Sequence, residues 1–238
     1  MTMAALVLAE TLGLVRAHRA PGRTPPSPSA RARHLSWLAE NLAALHGLRL
    51  SVEGDVPEYP AVIVANHISY MDPVAVTSLV PCCAIAKSEI GDWPILGETG
   101  RELGVLLFER GSAPSGARVL LRAKASLEAG VSVLTFPEGT TTNGFDVLPF
   151  RRGIFGLARI TNVPVVPVAL SYDDPDMAWI DDQLFLPHYL RTTTRRSTRV
   201  RIAFGDPIDP QSADSPETLA AVAREEMRRL LRGPGIGR

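Results

Sequence analysis

No apolar run in this 238-residue chain approaches the ~20 residues needed to cross a bilayer. The N-terminal stretch Met3 to Ala9 stops at Glu10, and Leu12 to Val15 is too short to extend it. No basic residue precedes that stretch, which argues against a secretory signal. Charge excess is also missing: 25 Lys and Arg balance 25 Asp and Glu, so nothing in the totals points to nucleic acid as a partner. Cysteine is scarce. Cys82 and Cys83 are adjacent, which rules out an ordinary structural disulfide and predicts buried thiols in a reducing compartment, with no metal site. There is no Gly-x-Ser-x-Gly elbow to support a hydrolase, and no internal repeat.

One kind of absence is local. Between Glu10 and Glu40 there is no acid, while Arg16, Arg19, Arg23, Arg31 and Arg33 alternate with prolines at 21, 25, 26 and 28. This reads as a flexible basic segment, either simply solvated or attracted to anionic lipid at roughly 1 kcal/mol per basic residue near the surface. Gln183 to Gly205 is likewise free of acids and holds Arg191, Arg195, Arg196, Arg199 and Arg201, as a second contact with bilayer or phosphate, or as an exposed loop.

What is present is an alternation of strand-like and helix-like segments. Leu35, Leu38, Leu42 and Leu45 predict an amphipathic helix over 35–46 ended by Gly47, packed on the domain or lying in the lipid interface. Strands are predicted near 48–53, 61–65, 82–87, 105–110, 131–136, 164–170 and 199–204. Helices are predicted around 92–102, 116–129 and 153–161, and from Ser215-Pro216 onward, with Ser215 as N-cap and Pro216 at N1. The expectation is an α/β fold, a mixed, largely parallel sheet with helices on both faces. Residues 48–238 form one domain, preceded by a membrane-associating appendage, residues 1–47.

Two loops after predicted strands carry chemistry. Asn66-His67-Ile68-Ser69-Tyr70-Met71-Asp72 follows the buried run Ala61 to Ala65, and Pro73 opens a helix behind it. A carboxylate-held imidazole can take a proton from a hydroxyl. The plain alternative makes Asp72 an N-cap before an N1 proline, and His67 an ordinary turn histidine. Phe136-Pro137-Glu138-Gly139-Thr140-Thr141-Thr142-Asn143-Gly144 follows a second apolar run, Val131 to Thr135.

Together these segments resemble the glycerolipid acyltransferase family, whose members move a fatty acyl group from a thioester onto a free lysolipid hydroxyl. The resemblance spans about Leu48 to Pro207 and rests on blocks in order: Asn66-His67-x4-Asp72, Gly104 to Arg110, Phe136 to Thr140, and Val163-Pro164-Val165-Val166-Pro167-Val168. It departs at Glu109, where aspartate is more usual, and at Thr141, where members acting on lysophosphatidic acid often carry arginine. The string FPEGTTTNG is similar to branches acting on other lysolipids, lyso-ornithine lipids among them.

The resemblance implies His67 as general base and Asp72 as its orienting carboxylate, with no acyl-enzyme; a nucleophilic Ser69 is the chemical alternative. Lys87, Arg110, Glu138, Gly139, Thr140 and Arg151 are the implied acceptor-binding residues, with Arg152 in reserve. Each has a plainer alternative: a strand end for Lys87, an ion pair with Glu109 or Glu102 for Arg110, and loop anchoring for Glu138. No cofactor is implied beyond the acyl-CoA or acyl carrier protein thioester as co-substrate. The implied acceptor is lysophosphatidic acid, with lyso-ornithine lipid as the alternative. The implied partners are the lysolipid, the acyl donor and an anionic membrane surface, met as a peripheral or monotopic protein on the cytoplasmic face. A non-catalytic lipid-binding protein on the same fold is the competing class.

Overall fold

A computed structural model describes residues 27–92, 96–180, 183–193, 195 and 197–233, together with 9 and 13. Arg16, Arg19, Arg23 and Arg196, the apolar stretch from Met3 apart from Ala9, and positions 93–95 of the helix expected over 92–102 lie outside the described residues.

The sheet has seven strands: β1 Leu48–Glu53, β2 Val62–Ala65, β3 Cys82–Lys87, β4 Leu106–Phe108, β5 Ser132–Thr135, β6 Val165–Tyr172 and β7 Thr198–Phe204. Their order is β1-β7-β6-β2-β5-β3-β4, and only β6 and β7 run antiparallel. β2 lies at the centre, in register with Val133 to Thr135 on one side and Val165 to Val168 on the other. Its four residues are all buried, as expected of a parallel strand covered on both faces.

The side chains of β2 alternate between two cores. Val62 and Val64 join a cluster built with Val119, Ala123 and Leu127 of a helix Ala113–Glu128, with Ile154 to Ala158 of a helix Gly153–Thr161, and with Leu219, Ala223 and Met227 of a helix Pro216–Leu231. Ile63 and Ala65 pack on the other face, against Ala75 and Val76 of a helix Asp72–Leu79. In chain order the α-helices are α1 Pro28–Leu45, α2 Asp72–Leu79, α3 Leu96–Glu102, α4 Ala113–Glu128, α5 Gly153–Thr161, α6 Phe185–Thr192 and α7 Pro216–Leu231.

Helix α1 begins seven residues before the helix expected from the leucine spacing. Ser27 caps it by accepting from the Ala30 N–H, and Pro28 occupies its first position, the same signal that starts α7 at Ser215-Pro216. Arg31 and Arg33 are therefore helical rather than part of a flexible tail. Leu38 of α1 is buried against Leu103, and Ala32 joins the main core, so one face of this helix packs on the domain. Among the described residues no helix is long and apolar enough to cross a membrane.

Three elements were not expected: the 3-10 turns Ser88–Asp92 and Pro175–Met177, and α6. The second acid-free stretch opens with α6, and acids from elsewhere neutralise two of its cations. Arg195 pairs with Asp174 and Asp176, and Arg201, buried, grips Glu53 of β1 with two N–H groups and the Leu230 carbonyl with a third.

Candidate active site

Because β2, β3, β4, β5 and β6 run the same way, their C-terminal ends meet at one rim, where open α/β sheets hold ligands. The chain leaves β2 at Asn66, whose side chain pairs with β6 as a strand residue would. Its amide donates to the Leu170 carbonyl at 3.1 Å and accepts from the Leu170 N–H at 2.7 Å. That fixes the start of the turn bearing His67.

His67 is held on every side but one. Its N–H donates to Glu138 Oε1 at 2.8 Å, and its carbonyl accepts from the Thr142 N–H at 2.7 Å. The ring stacks on Phe136 with centroids 4.2 Å apart, and Nδ1 lies 2.8 Å from Asp72 Oδ2. An ionised carboxylate only accepts, so Nδ1 is the donor of this pair, and in the neutral ring Nε2 keeps its lone pair. Nε2 has no hydrogen-bond partner among the described residues, and the side chain is 22% exposed.

Asp72 does not cap its helix. Met71 is the N-cap, Asp72 is the first helical residue, and Pro73 follows it. The carboxylate, 0% exposed, folds back over the turn instead. Oδ2 accepts from the Ile68 N–H at 2.6 Å and the Ser69 N–H at 2.8 Å as well as from His67, and Oδ1 accepts from the Tyr172 hydroxyl at 2.6 Å. Ser69 is fully buried, its oxygen accepting from the Met71 N–H, and it makes no hydrogen bond with His67.

Glu138 uses both carboxylate oxygens on backbone N–H groups, those of His67 and Leu148. It is 6% exposed, and burial raises its pKa against the opposing pull of those two donors. Its place is that of a tie between the two loops. Gly139 has φ 75°, and a Cβ there would lie 2.7 Å from Arg151 Nε, so only glycine lets that guanidinium lie across the loop. Thr140 is exposed.

Lys87 ends β3, Arg110 stands two residues beyond β4, and Arg151 lies over the Gly139 turn. The three sense one another. Partial burial and the neighbouring Arg110 lower the pKa of Lys87, and partial burial and Arg151 lower that of Arg110, while Glu89 opposes both shifts. None of the three forms an ion pair among the described residues, so Arg110 is not spent on Glu109 or Glu102. Arg152 instead pairs with Glu217.

Sequence reasoning missed the cover over the turn. The Trp179 N–H donates to the Ile68 carbonyl at 2.9 Å, and its carbonyl accepts from the Thr141 hydroxyl. Tyr70 sits among Trp179, Phe185, His188 and Tyr189, its hydroxyl 2.7 Å from Thr192 Oγ1 and 3.2 Å from His188 Nδ1. A run of aromatics beside leucines from Trp179 to Leu190 was the available signal, but Pro187 inside it reads as a helix breaker. In the structure it falls in the first turn of α6, where proline is tolerated.

An α/β sheet that holds an imidazole on a carboxylate at its C-terminal rim, with Lys87 and Arg110 at or just beyond strand ends of the same rim, has the make-up of an enzyme. Comparison with known proteins defines the class further. The acyltransferase family model matches residues 47–171. The lyso-ornithine lipid O-acyltransferase of Pseudomonas aeruginosa is 35% identical over 202 residues, 83% of this chain and 77% of that protein. The 1-acyl-sn-glycerol-3-phosphate acyltransferase of Neisseria meningitidis serogroup B is 33% identical over 149 residues, 62% of this chain and 58% of that one. The crystal structure of the 1-acyl-sn-glycerophosphate acyltransferase PlsC from Thermotoga maritima shares the fold, with a TM-score of 0.69 at 23% identity over 99% of this chain and 95% of that one. The chain belongs to the acyltransferase family.

Proposed function

We propose that the protein transfers a fatty acyl group from acyl-CoA or acyl carrier protein to the free hydroxyl of a lysolipid, with lysophosphatidic acid as the acceptor. The observation that carries this reading is the free Nε2 of a histidine fixed at Nδ1 by a buried carboxylate. Nε2 takes the proton of the acceptor hydroxyl as its oxygen attacks the thioester carbonyl. The new C–O bond forms, the C–S bond breaks, and the imidazolium returns the proton to the departing sulfur. Asp72 fixes the tautomer and stabilises the imidazolium. Burial of Ser69 supports direct transfer without an acyl-enzyme.

Lys87, Arg110 and Arg151 receive the headgroup. Each cation supplies charge-assisted hydrogen bonds worth about 1.5–3 kcal/mol, and the guanidinium forks suit a phosphate. The lowering of the Lys87 pKa by Arg110 and of the Arg110 pKa by Arg151, only partly offset by Glu89, supports a local excess of positive charge. With the arginines of residues 1–33, this charge suits an anionic membrane surface, which we place at the cytoplasmic face and contact peripherally.

Lyso-ornithine lipid is the second reading. It is favoured by the match to the Pseudomonas aeruginosa protein, which spans more of both chains, and by Thr141, a neutral residue whose hydroxyl is committed to the Trp179 carbonyl. The test is turnover of acyl-CoA and acyl carrier protein donors against lysophosphatidic acid, lysophosphatidylglycerol and lyso-ornithine lipid. Preference for lysophosphatidic acid supports the first reading. Turnover of lyso-ornithine lipid with none of lysophosphatidic acid selects the second, and no turnover of any lysolipid refutes both.

A further inference from the structure

Tyr172 is the last residue of β6, far from either motif in sequence, and its hydroxyl reaches Asp72 Oδ1 at 2.6 Å. The donors on the two carboxylate oxygens are unequal. Oδ2 receives His67 Nδ1 and the N–H groups of Ile68 and Ser69, all from the same turn, whereas among the described residues Oδ1 receives only Tyr172. Asp72 is 0% exposed, so water does not replace that donor. The bonds to Oδ2 move with the turn. The bond to Oδ1 refers the carboxylate to the sheet, where Tyr172 pairs with Val200 of β7 two residues beyond the Leu170 grip on Asn66. Burial and the Asp72 charge push the Tyr172 phenol well above its ordinary value, which keeps it protonated and donating.

We propose that Tyr172 is a positioning residue for acyl transfer, its hydroxyl holding the Asp72 carboxylate charged and turned so that Oδ2 faces His67 Nδ1. Without that donor, Oδ1 is a bare anionic oxygen in a dry site, and the simplest relief is a proton. A protonated Asp72 no longer supports the imidazolium, so the loss of rate is greatest where protons are most available. The inference rests on reading His67 as the base. The titratable groups facing the His67–Asp72 pair are Glu138 from the loop after β5 and Tyr172 itself, while Tyr70 from the same turn acts on Tyr172.

The test is Tyr172→Phe, which keeps the ring, assayed across pH. The expected result is a kcat about 10-fold or more lower at neutral pH with KM little changed. The acid limb of kcat/KM should move upward by about one pH unit, so that the deficit shrinks as pH rises. In an Asp72→Asn background the same change should add little, because its target charge is already gone. A structural role would lower the rate by one factor at every pH and add to Asp72→Asn, and either result overturns the proposal. Should the phenylalanine variant fold poorly, 3-fluorotyrosine at position 172 keeps the shape and donates more strongly. The acid limb should then move to lower pH, and a limb that stays in place overturns the proposal. His67→Ala in the same preparation separates the two claims. Activity in that variant removes the base reading itself, whereas inactivity beside an unmoved limb removes only the role of Tyr172.

Discussion

Asp72→Asn separates charge from scaffolding at the centre of the site. The carboxylate accepts four hydrogen bonds, three on Oδ2 and one on Oδ1. An asparagine keeps its oxygen where Oδ2 stands, because the fixed N–H groups of Ile68 and Ser69 require an acceptor there. Its amide nitrogen then faces the Tyr172 hydroxyl, which can turn and accept. The turn survives, so the stability cost should stay near ~1 kcal/mol, a fall of about 2–4 °C in Tm for a chain of this size. The His67 tautomer survives too, since Nδ1 still meets an oxygen. What disappears is the negative charge under the imidazolium. A charge-assisted hydrogen bond is about twice as strong as a neutral one, a difference of roughly 1.5 kcal/mol or somewhat more, so kcat should fall about 10- to 100-fold. Asp72→Ala differs because it strands two backbone donors and the Tyr172 hydroxyl in a dry site at about 1–3 kcal/mol each, so Tm should fall by roughly 10 °C or more. The assays are thermal unfolding and steady-state acyl transfer on the same samples. A fully active Asp72→Asn, or one as unstable as Asp72→Ala, would refute this division of labour.

Arg110→Gln should raise KM for lysophosphatidic acid about 10-fold or more with kcat little changed, since it removes uniform binding of the headgroup; a fall in kcat alone would place Arg110 outside the headgroup site. Thr141→Arg gives up the hydrogen bond to the Trp179 carbonyl and adds a cation beside the site. It should increase the kcat/KM preference for lysophosphatidic acid over lyso-ornithine lipid about 10-fold, and an unchanged ratio would mean that position 141 does not sense the headgroup. Asp146, held down to about 2 by Arg228, ties the loop after Gly144 to α7. A carboxyl with a depressed folded-state pKa contributes stability above its unfolded value near 4, and that contribution is lost as pH falls toward 2. The Tm difference between the natural protein and Asp146→Asn should therefore close over that interval, and a difference constant down to pH 2 would contradict it.

Much of the fold was legible because local signals and burial agree. The four apolar residues of β2 and the Ser-Pro start of α7 each predict their element directly. The same Ser-Pro signal at Ser27-Pro28 was hidden within a basic, proline-rich stretch, so the first turns of α1 read as tail. Proximity of His67 to Asp72 was also legible, being a matter of five positions in one turn. The environment of Asp72 was not, because the donor on Oδ1 comes from 100 residues away, on a strand whose place beside β2 depends on the whole sheet. Glu138 shows the same limit. Spacing placed it in a loop near the site, but only the fold shows both its oxygens closed on backbone N–H groups. The cations of the second acid-free stretch looked free in sequence because Asp174, Asp176 and Glu53, which neutralise Arg195 and Arg201, lie outside the stretch.

The most direct test of the account is the activity of purified, folded His67→Ala with acyl-CoA and lysophosphatidic acid. A positioned general base is worth about 10²–10⁴-fold, roughly 3–5 kcal/mol of barrier. His67 is partly exposed, its ring hydrogen-bonds only Asp72 among the described residues and stacks on Phe136, and its backbone bonds to Glu138 and Thr142 survive truncation, so its removal should leave the fold intact. The account predicts a loss of at least ~100-fold in kcat with Tm within a few degrees of the natural protein. A folded variant that keeps more than about a tenth of the activity would contradict the assignment of His67 as the base.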